Sequence, residues 1–399
     1  MKMKKGTVAV LLGLMALGLL SSRGALAEPA VCVEALLAEL SLSRILGEDL
    51  PPIEPRDGDS VRYLTWALHH MSGCDAEPLS SWQGFMDLSL AQPLADVAVV
   101  VSPDMAPSVR EDALGYSQLL TRARIPHTFL PLSKATEERI YSFRALIVVG
   151  EGNPGSLKTN AIDAFGQKGG GILLSGGCSK KTKKRDKVHS RGGFCLVRVH
   201  ENDAFEIPVG GVRLSQTDAS RVLVRAVGKK EEFPVVVSPE KGVLLSGVPW
   251  GLANYQGFGK RGQPYPYERN AKAEEAAMDL LKRILGGPPS LEIRVGEGVL
   301  VKAYKAGDRY AVHLLNISGL RLAHGERVPS KLPDPAFPPV KGHSVFDFHF
   351  PNLSHAWVSS PDYKGERMAW LEWENENTYR VVMPPESLER YSIVYVCEG

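Results

Sequence analysis

Residues 145–177 read ALIVVGEGNPGSLKTNAIDAFGQKGGGILLSGG, and this stretch decides the fold. ALIVVG is a continuous apolar run of strand length that ends on glycine, which suits a strand buried on both faces. SLKTNAIDAFGQKG spaces its apolar residues as a helix does and again stops at glycine. GILLSG is a second buried strand. Strand, helix and strand in so short a span make a parallel β-α-β unit with a right-handed crossover.

The same alternation continues upstream. DVAVVVS, bounded by Asp96 and Pro103, reads as a strand, VREDALGYSQLLTRARI as a helix, HTFLPL as a short strand and KATEERIYSF as another helix. This order predicts a doubly wound, mostly parallel sheet. Downstream, FCLVRVH, RVLVRAV, FPVVVS and GVLLSGV are strands, and RNAKAEEAAMDLLKRIL is a helix that closes the domain at Gly286-Gly287-Pro288-Pro289. Then come LEIRV, VLVKAYK, RYAVHLLNI, SVFDFHF, HAWVSS, MAWLEWE, TYRVVM and YSIVYV, eight runs of strand character separated by turn residues. Such spacing with little helix predicts a β-sandwich.

The chain opens with Lys2, Lys4 and Lys5, an apolar stretch from Val8 to Leu20, and Ala25-Leu26-Ala27. A basic start, a short apolar run and a small-x-small site are the order of a secretory signal peptide. The expected partition is a signal peptide over 1–27, a helical lead over 28–93, an α/β domain over 94–287 and a β-sandwich over 288–399. In the lead, VCVEALLAELSLSRIL and SVRYLTWALHHM carry helical spacing on either side of PPIEP. The expected location is secreted or periplasmic, with no membrane span after cleavage. Lys and Arg number 47 against 45 Asp and Glu, a balance that predicts no nucleic-acid partner.

Five cysteines, Cys32, Cys74, Cys178, Cys195 and Cys397, leave one over if the rest pair. An oxidising compartment makes disulfides available. Cys32 with Cys74 and Cys178 with Cys195 are the pairs nearest in sequence, and Cys397 is then free. No C-x-x-C and no metal-ligand spacing occurs, so neither a metal nor a cofactor is expected.

At this point a resemblance becomes usable. The run from DVAVVVS through GGGILLSGG resembles a class I glutamine-amidotransferase-like domain, in the form found behind the catalytic barrel of β-galactosidases and sometimes called a trimerisation domain. GVLVKAYKAGDRYAVHLLNISG, SHAWVSSPD, MAWLEWENENTYRVVMPP and LERYSIVYV resemble the small β-sandwich that ends many such enzymes. The resemblance covers about Leu94 to Glu398 and implies a flavodoxin-like, amidotransferase-like parallel sheet followed by a small all-β domain. In those glycosidases the catalytic carboxylates sit on a preceding (β/α)8 barrel, which needs on the order of 250 residues. Only Glu28 to Pro93 precedes the α/β domain here, so the expectation is a relative of the accessory half, from a bacterium.

The candidate site residues each carry two readings. Cys178 stands where a catalytic relative would hold its nucleophile between strand and helix. Its surroundings, Gly176-Gly177-Cys178-Ser179-Lys180, lack the final glycine of G-x-C-x-G, and the following SKKTKKRDKVHSRGG has no amphipathic helical pattern. The H-x-E string that should supply a base occurs only at His324-Gly325-Glu326, inside the β-sandwich, while His200-Glu201 lies closer without the spacing. An inert or disulfide-bonded thiol is the other reading. Gly150 to Gly155 spells G-x-G-x-x-G between strand and helix, a phosphate cradle or plain turn glycines. Lys180, Lys181, Lys183, Lys184, Arg185, Lys187 and Arg191 form an anion site or a solvated loop. Trp250, Tyr255, Phe258, Tyr265 and Tyr267 form a sugar platform or core. Glu151, Glu201, Glu372 and Glu374 make no evident catalytic pair.

These residues point to a non-catalytic accessory protein, binding a glycan or anionic polymer, or assembling with itself or with a carbohydrate-active enzyme. The ligand contacts would come from Lys180, Lys181, Lys183, Lys184, Arg185, Trp250, Tyr255 and Tyr265. The alternative is a hydrolase, glycosidase-related or a cysteine-dependent amidase, with Cys178, Glu151 and His200 at the carboxyl ends of the parallel strands.

Overall fold

The computed structural model describes residues 33–49, 59–73, 91–151, 157, 159–177, 187–188, 195–200, 203–207, 209–215, 221–228, 231–255, 270–318, 337–340 and 342–399. Helices α1 (Val33–Leu46) and α2 (Asp59–Ser72) and a two-residue strand, β1 (Gln92–Pro93), come first. The α/β unit follows: β2 (Val97–Val101), α3 (Pro107–Arg122), β3 (His127–Pro131), α4 (Glu137–Ile140), β4 (Ala145–Glu151), α5 (Asn160–Gln167) and β5 (Gly171–Gly177). All five residues of β2 are buried, which is why its sequence does not alternate. Val97, Val99 and Val101 face Ala113, Tyr116 and Leu120 of α3, while Ala98 and Val100 face Ile140 of α4 and Ile162 and Phe165 of α5. Helices therefore cover both sides of the sheet.

The helix termini follow from local chemistry. Pro107 occupies the first turn of α3, where its missing amide costs nothing. Thr159 caps α5 by accepting from the Ile162 amide. The helix expected over KATEERIYSF shrinks to the single turn α4, preceded by a 3-10 turn over Leu132–Lys134.

After β5 come β6 (Lys187–Val188), β7 (Cys195–His200), β8 (Asp203–Ile207), β9 (Gly211–Val212), β10 (Arg221–Val227), β11 (Glu232–Glu240) and β12 (Val243–Ser246). Among the described residues the main sheet has the order β3-β2-β4-β5-β12-β11-β10-β7-β8. The strands from β3 to β12 are parallel, whereas β11, β10, β7 and β8 pair antiparallel. The expectation of a mostly parallel sheet is thus corrected. Strands β10, β11 and β12 follow one another as antiparallel neighbours, so the chain comes back beside β5 at β12 by strand pairing and not by a helical crossover. Strand β8 escaped the sequence reading because DAFEI is short and half polar. Helices α6 (Trp250–Asn254) and α7 (Ala271–Leu285) end the unit. Asn270 caps α7 through the Ala273 amide, and Gly286 closes it at φ 68°, a left-handed turn that favours glycine.

The remaining strands are β13 (Leu291–Arg294), β14 (Val299–Ala306), β15 (Arg309–Asn316), β16 (Ser344–Phe348), β17 (Leu353–Ser359), β18 (Glu366–Met368), β19 (Trp370–Asn375), β20 (Thr378–Met383) and β21 (Tyr391–Glu398). They form two sheets, β1-β14-β15-β21-β17-β18 and β13-β16-β20-β19. Val312, Leu314, Val394 and Val396 of the first meet Phe346, Phe348 and Val381 of the second. Helices α1 and α2 lie on the first sheet's other face. Leu36, Leu40, Leu64, Ala67 and Met71 pack there on Tyr304, Ala311, Leu315, Tyr391 and Ile393. The Tyr304 hydroxyl donates to the Met71 carbonyl at 2.6 Å, and Lys302 Nζ donates to Ser41 Oγ at 2.8 Å.

That contact encloses two histidines, His313 fully and His70 in part. His70 of α2 stacks on Trp66 at 5.2 Å, and its ring centre lies 5.4 Å from that of His313. His313 Nδ1 is hydrogen-bonded to the Tyr391 hydroxyl. Burial holds His70 down at about 4, and burial with the nearby His70 and Lys302 holds His313 well below the usual imidazole range. Both are neutral under ordinary conditions.

Candidate functional site

In the strand order β3-β2-β4, the chain runs from β2 outward to β3 and then crosses back to β4. The carboxyl ends of β2 and β4 therefore diverge, and open α/β sheets hold ligands in such a crevice. A cavity of about 370 Å³ lies there. Its floor and walls are apolar: Val100, Val101, Val109, Val148, Val149 and Leu157. Ser102, Asp104, Glu151 and Thr159 supply its polar groups, and both carboxylate residues are exposed. Gly150 lets the wall close, since a Cβ there would stand 2.3 Å from Leu157 Cδ2. Of the G-x-G-x-x-G glycines, Gly152 and Gly155 lie outside the described residues.

The neighbouring strand end is sealed instead. Ser175 of β5 is fully buried and donates to Asp112 Oδ2 at 3.0 Å, while accepting from the Tyr116 hydroxyl at 3.1 Å. Asp112 Oδ1 accepts the Leu252 amide at 2.8 Å. Desolvation pushes the Asp112 carboxyl up to about 7, against the opposing pull of the Leu252, Ser175 and Gly251 donors. On the adjacent strand, Trp250 Nε1 donates to Ser246 Oγ at 3.1 Å. This network ties α3 and α6 to the strand ends and leaves no opening for a reactant beside Ser175. Asp112→Asn keeps an acceptor for the Leu252 amide and removes the charge that burial penalises. We expect its stability at pH 7 to stay within about 1 kcal/mol of wild type, measured by chemical denaturation.

The structure separates the candidate residues. Glu151 lines the β2/β4 cavity. Trp250 and Tyr255 are 0% and 3% exposed, which corrects the expectation that they offer ring faces to a sugar. The Trp250 indole packs in the core because Ser246 satisfies its N–H. Cys195 is buried on β7, and Cys397 is a buried free thiol on β21. His200 ends β7, though its side chain is outside the described set. Cys32, Cys74, Cys178, Lys180, Lys181, Lys183, Lys184, Arg185, Tyr265 and Tyr267 also lie outside the described residues. Asp104 was missed because a single Asp in a turn carries no spacing. The signal that could have found it is its place just beyond β2, on the other side of the divergence from Glu151.

No family model matches the chain, and no curated protein sequence matches it. Solved structures do. α-L-Fucosidase isoenzyme 2 from Paenibacillus thiaminolyticus matches with a TM-score of 0.55 and 14% identity, over 85% of this chain and 57% of that one. A cold-adapted β-galactosidase from Rahnella sp. R3 matches with a TM-score of 0.50 and 9% identity, over 93% of this chain and 58% of that one. The chain thus spans less than two thirds of either neighbour. At these identities the likeness is one of fold, and it is a fold that glycoside hydrolases contain.

Proposed function

We propose that this protein is a secreted or periplasmic accessory protein, related to the non-barrel domains of glycoside hydrolases, that holds a sugar in the β2/β4 cavity without cleaving it. The α/β unit is then an amidotransferase-like, flavodoxin-like domain whose nucleophile position has lost its chemistry. The observation that carries the reading is the cavity's composition. A sugar ring has apolar faces and a rim of hydroxyls, and the cavity offers an apolar floor with Asp104, Glu151, Ser102 and Thr159 as partners. A glycosidase acid must be kept protonated by an apolar surrounding. Asp104 and Glu151 are both exposed, which favours hydrogen bonding over acid catalysis.

The test is a calorimetric titration with a panel of neutral mono- and oligosaccharides, run beside an assay for released reducing ends. A sugar that binds wild type should lose about tenfold in affinity to Glu151→Gln and to Asp104→Asn, the loss expected for one hydrogen bond to a charged acceptor. Release of reducing ends by wild type, abolished in Glu151→Gln, would overturn the reading in favour of a hydrolase. So would sugar affinities that neither variant changes.

A further inference from the structure

Apart from Leu132 at the cavity rim, the large apolar side chains exposed among the described residues fall in one short stretch. Met368 is 69% exposed, Trp370 68% and Trp373 67%. Met368 ends β18, the last strand of the six-stranded sheet, and Trp370 begins β19, the last strand of the four-stranded sheet. Both sheets of the sandwich therefore end along the same flank. Strand β19 is paired with β20 on one side, Trp370 opposite Val382 through Trp373 opposite Tyr379 before a register shift between Trp373 and Asn375, and among the described residues its other side has no strand partner. Natural edges of this kind are blunted with lysine or proline. From Met368 to Tyr379 the chain has neither, and carries Glu372, Glu374 and Glu376.

We propose that the β19 edge docks an extended segment of a partner protein as an added strand, a segment with lysine or arginine alternating with apolar residues. The alternation follows from the side chains of β19. Trp370, Glu372 and Glu374 share one face of the sheet, and Leu371 and Trp373 share the other, where Leu371 packs on the sandwich core. An added strand would place cationic side chains beside Glu372 and Glu374 and apolar ones beside Leu371 and Trp373. The cations that this face carries on the neighbouring strands are already engaged, Arg380 of β20 by Asp347 and Glu374 and Arg294 of β13 by Asp347. Two other occupants fit less well. A sugar chain lies on one face, while Trp370 and Trp373 point to opposite faces. A second copy paired antiparallel about the middle of β19 would set Glu372 against a carboxylate, and like charges directly opposite repel.

The test uses the full chain and fluorescent octapeptides of alternating lysine and valine, or glutamate and valine, read by anisotropy. The lysine peptide should bind, lose affinity as salt is raised, and lose about tenfold or more in Trp370→Ser/Trp373→Ser. Glu372→Lys/Glu374→Lys should reverse the preference to the glutamate peptide. A lysine peptide N-methylated at alternate residues should not bind, because a strand needs its amides. Binding of the N-methylated peptide as well as the parent, or absence of any peptide preference, would overturn the proposal. So would a dimer by light scattering that Trp370→Ser/Trp373→Ser dissolves, or oligosaccharide binding that the same variant abolishes. Glu151→Gln should leave peptide binding unchanged, so this result stands apart from the sugar site.

Discussion

Gly115→Ala is expected to destabilise the α/β unit by roughly 3 kcal/mol, the upper part of the usual range for overpacking. A Cβ built on Gly115 would stand 1.9 Å from the Gly251 carbonyl oxygen, and one on Gly251 would stand 2.0 Å from the Asp112 carbonyl oxygen. The two helices thus touch backbone to backbone, and neither obstacle is a side chain that can rotate away. Alanine within a helix gains about 1 kcal/mol over glycine in intrinsic propensity. The clash opposes that gain and is the larger effect, because α6 must move off α3 and stretch the bond from the Leu252 amide to Asp112. Gly166→Ala in α5 is the matched comparison. Its Cβ would crowd the Ile172 Cδ1 methyl at 2.9 Å, a side-chain end that can yield, with Val243 Cγ2 at an ordinary 3.5 Å. Thermal unfolding should show Gly115→Ala lowered by roughly 5 °C or more and Gly166→Ala close to wild type. Equal midpoints for the two variants would refute the close crossing.

The second large effect is a loss of stability in acid. His70 is held at about 4 against an ordinary value near 6.5, and His313 is displaced in the same direction. A histidine depressed in the folded state takes its proton first in the unfolded chain. Its contribution is therefore complete above pH 6.5 and is lost as pH falls from 6.5 toward 4. For His70 alone that amounts to about 3 kcal/mol. His127, half-buried and held by desolvation at about 3, adds to the same trend. Asp112 works the other way, since its raised carboxyl is protonated first in the folded chain and gains stability as pH falls below about 7. Asp96 is raised by burial in the same way as Asp112, and His69 is lowered like the other three, so four histidines stand against two carboxyls and leave a net acid loss. Denaturant unfolding across this range should show it, and His70→Phe, which keeps the stack on Trp66, should reduce it by about 3 kcal/mol. Parallel curves for the two proteins would exclude His70 as a cause.

How much of this was legible in the sequence follows the physics of each element. Strands β2, β4 and β5 were readable because burial on both faces leaves nothing but apolar residues. Helix α7 was readable from its period and its Gly286 stop. The antiparallel half of the main sheet was read as strands but not as hairpins, because pairing direction is set by connections and not by composition. The aromatic cluster misled at Trp250 and Tyr255, since an indole with a serine acceptor suits a core as well as a surface. Trp370 and Trp373 stood in a run read only as a strand. Their odd spacing within an alternating strand was the available sign that neither face of it is a simple core face. Glu151 was found by its place at a strand end, whereas its companion Asp104 required the strand order.

The layer formed by α1 and α2 has a consequence for assembly. Tyr63 of α2 donates to Asp362 at 2.9 Å, a contact between residues 299 positions apart, and the covered sheet has β21 between β15 and β17. Helix α1 also sets Ala38 and Leu42 into the core of the α/β unit, but α2 and the Leu36, Leu37 and Leu40 side of α1 have no apolar partner surface complete until β21 is in place. Docking of α2 is therefore a late event that reports completion of a distant sheet, and contacts of such long range make folding slow. Until then, Leu36, Leu37 and Leu40 of α1 and the tyrosines of β14 and β21 are exposed together, and a holding chaperone would find its binding surface there.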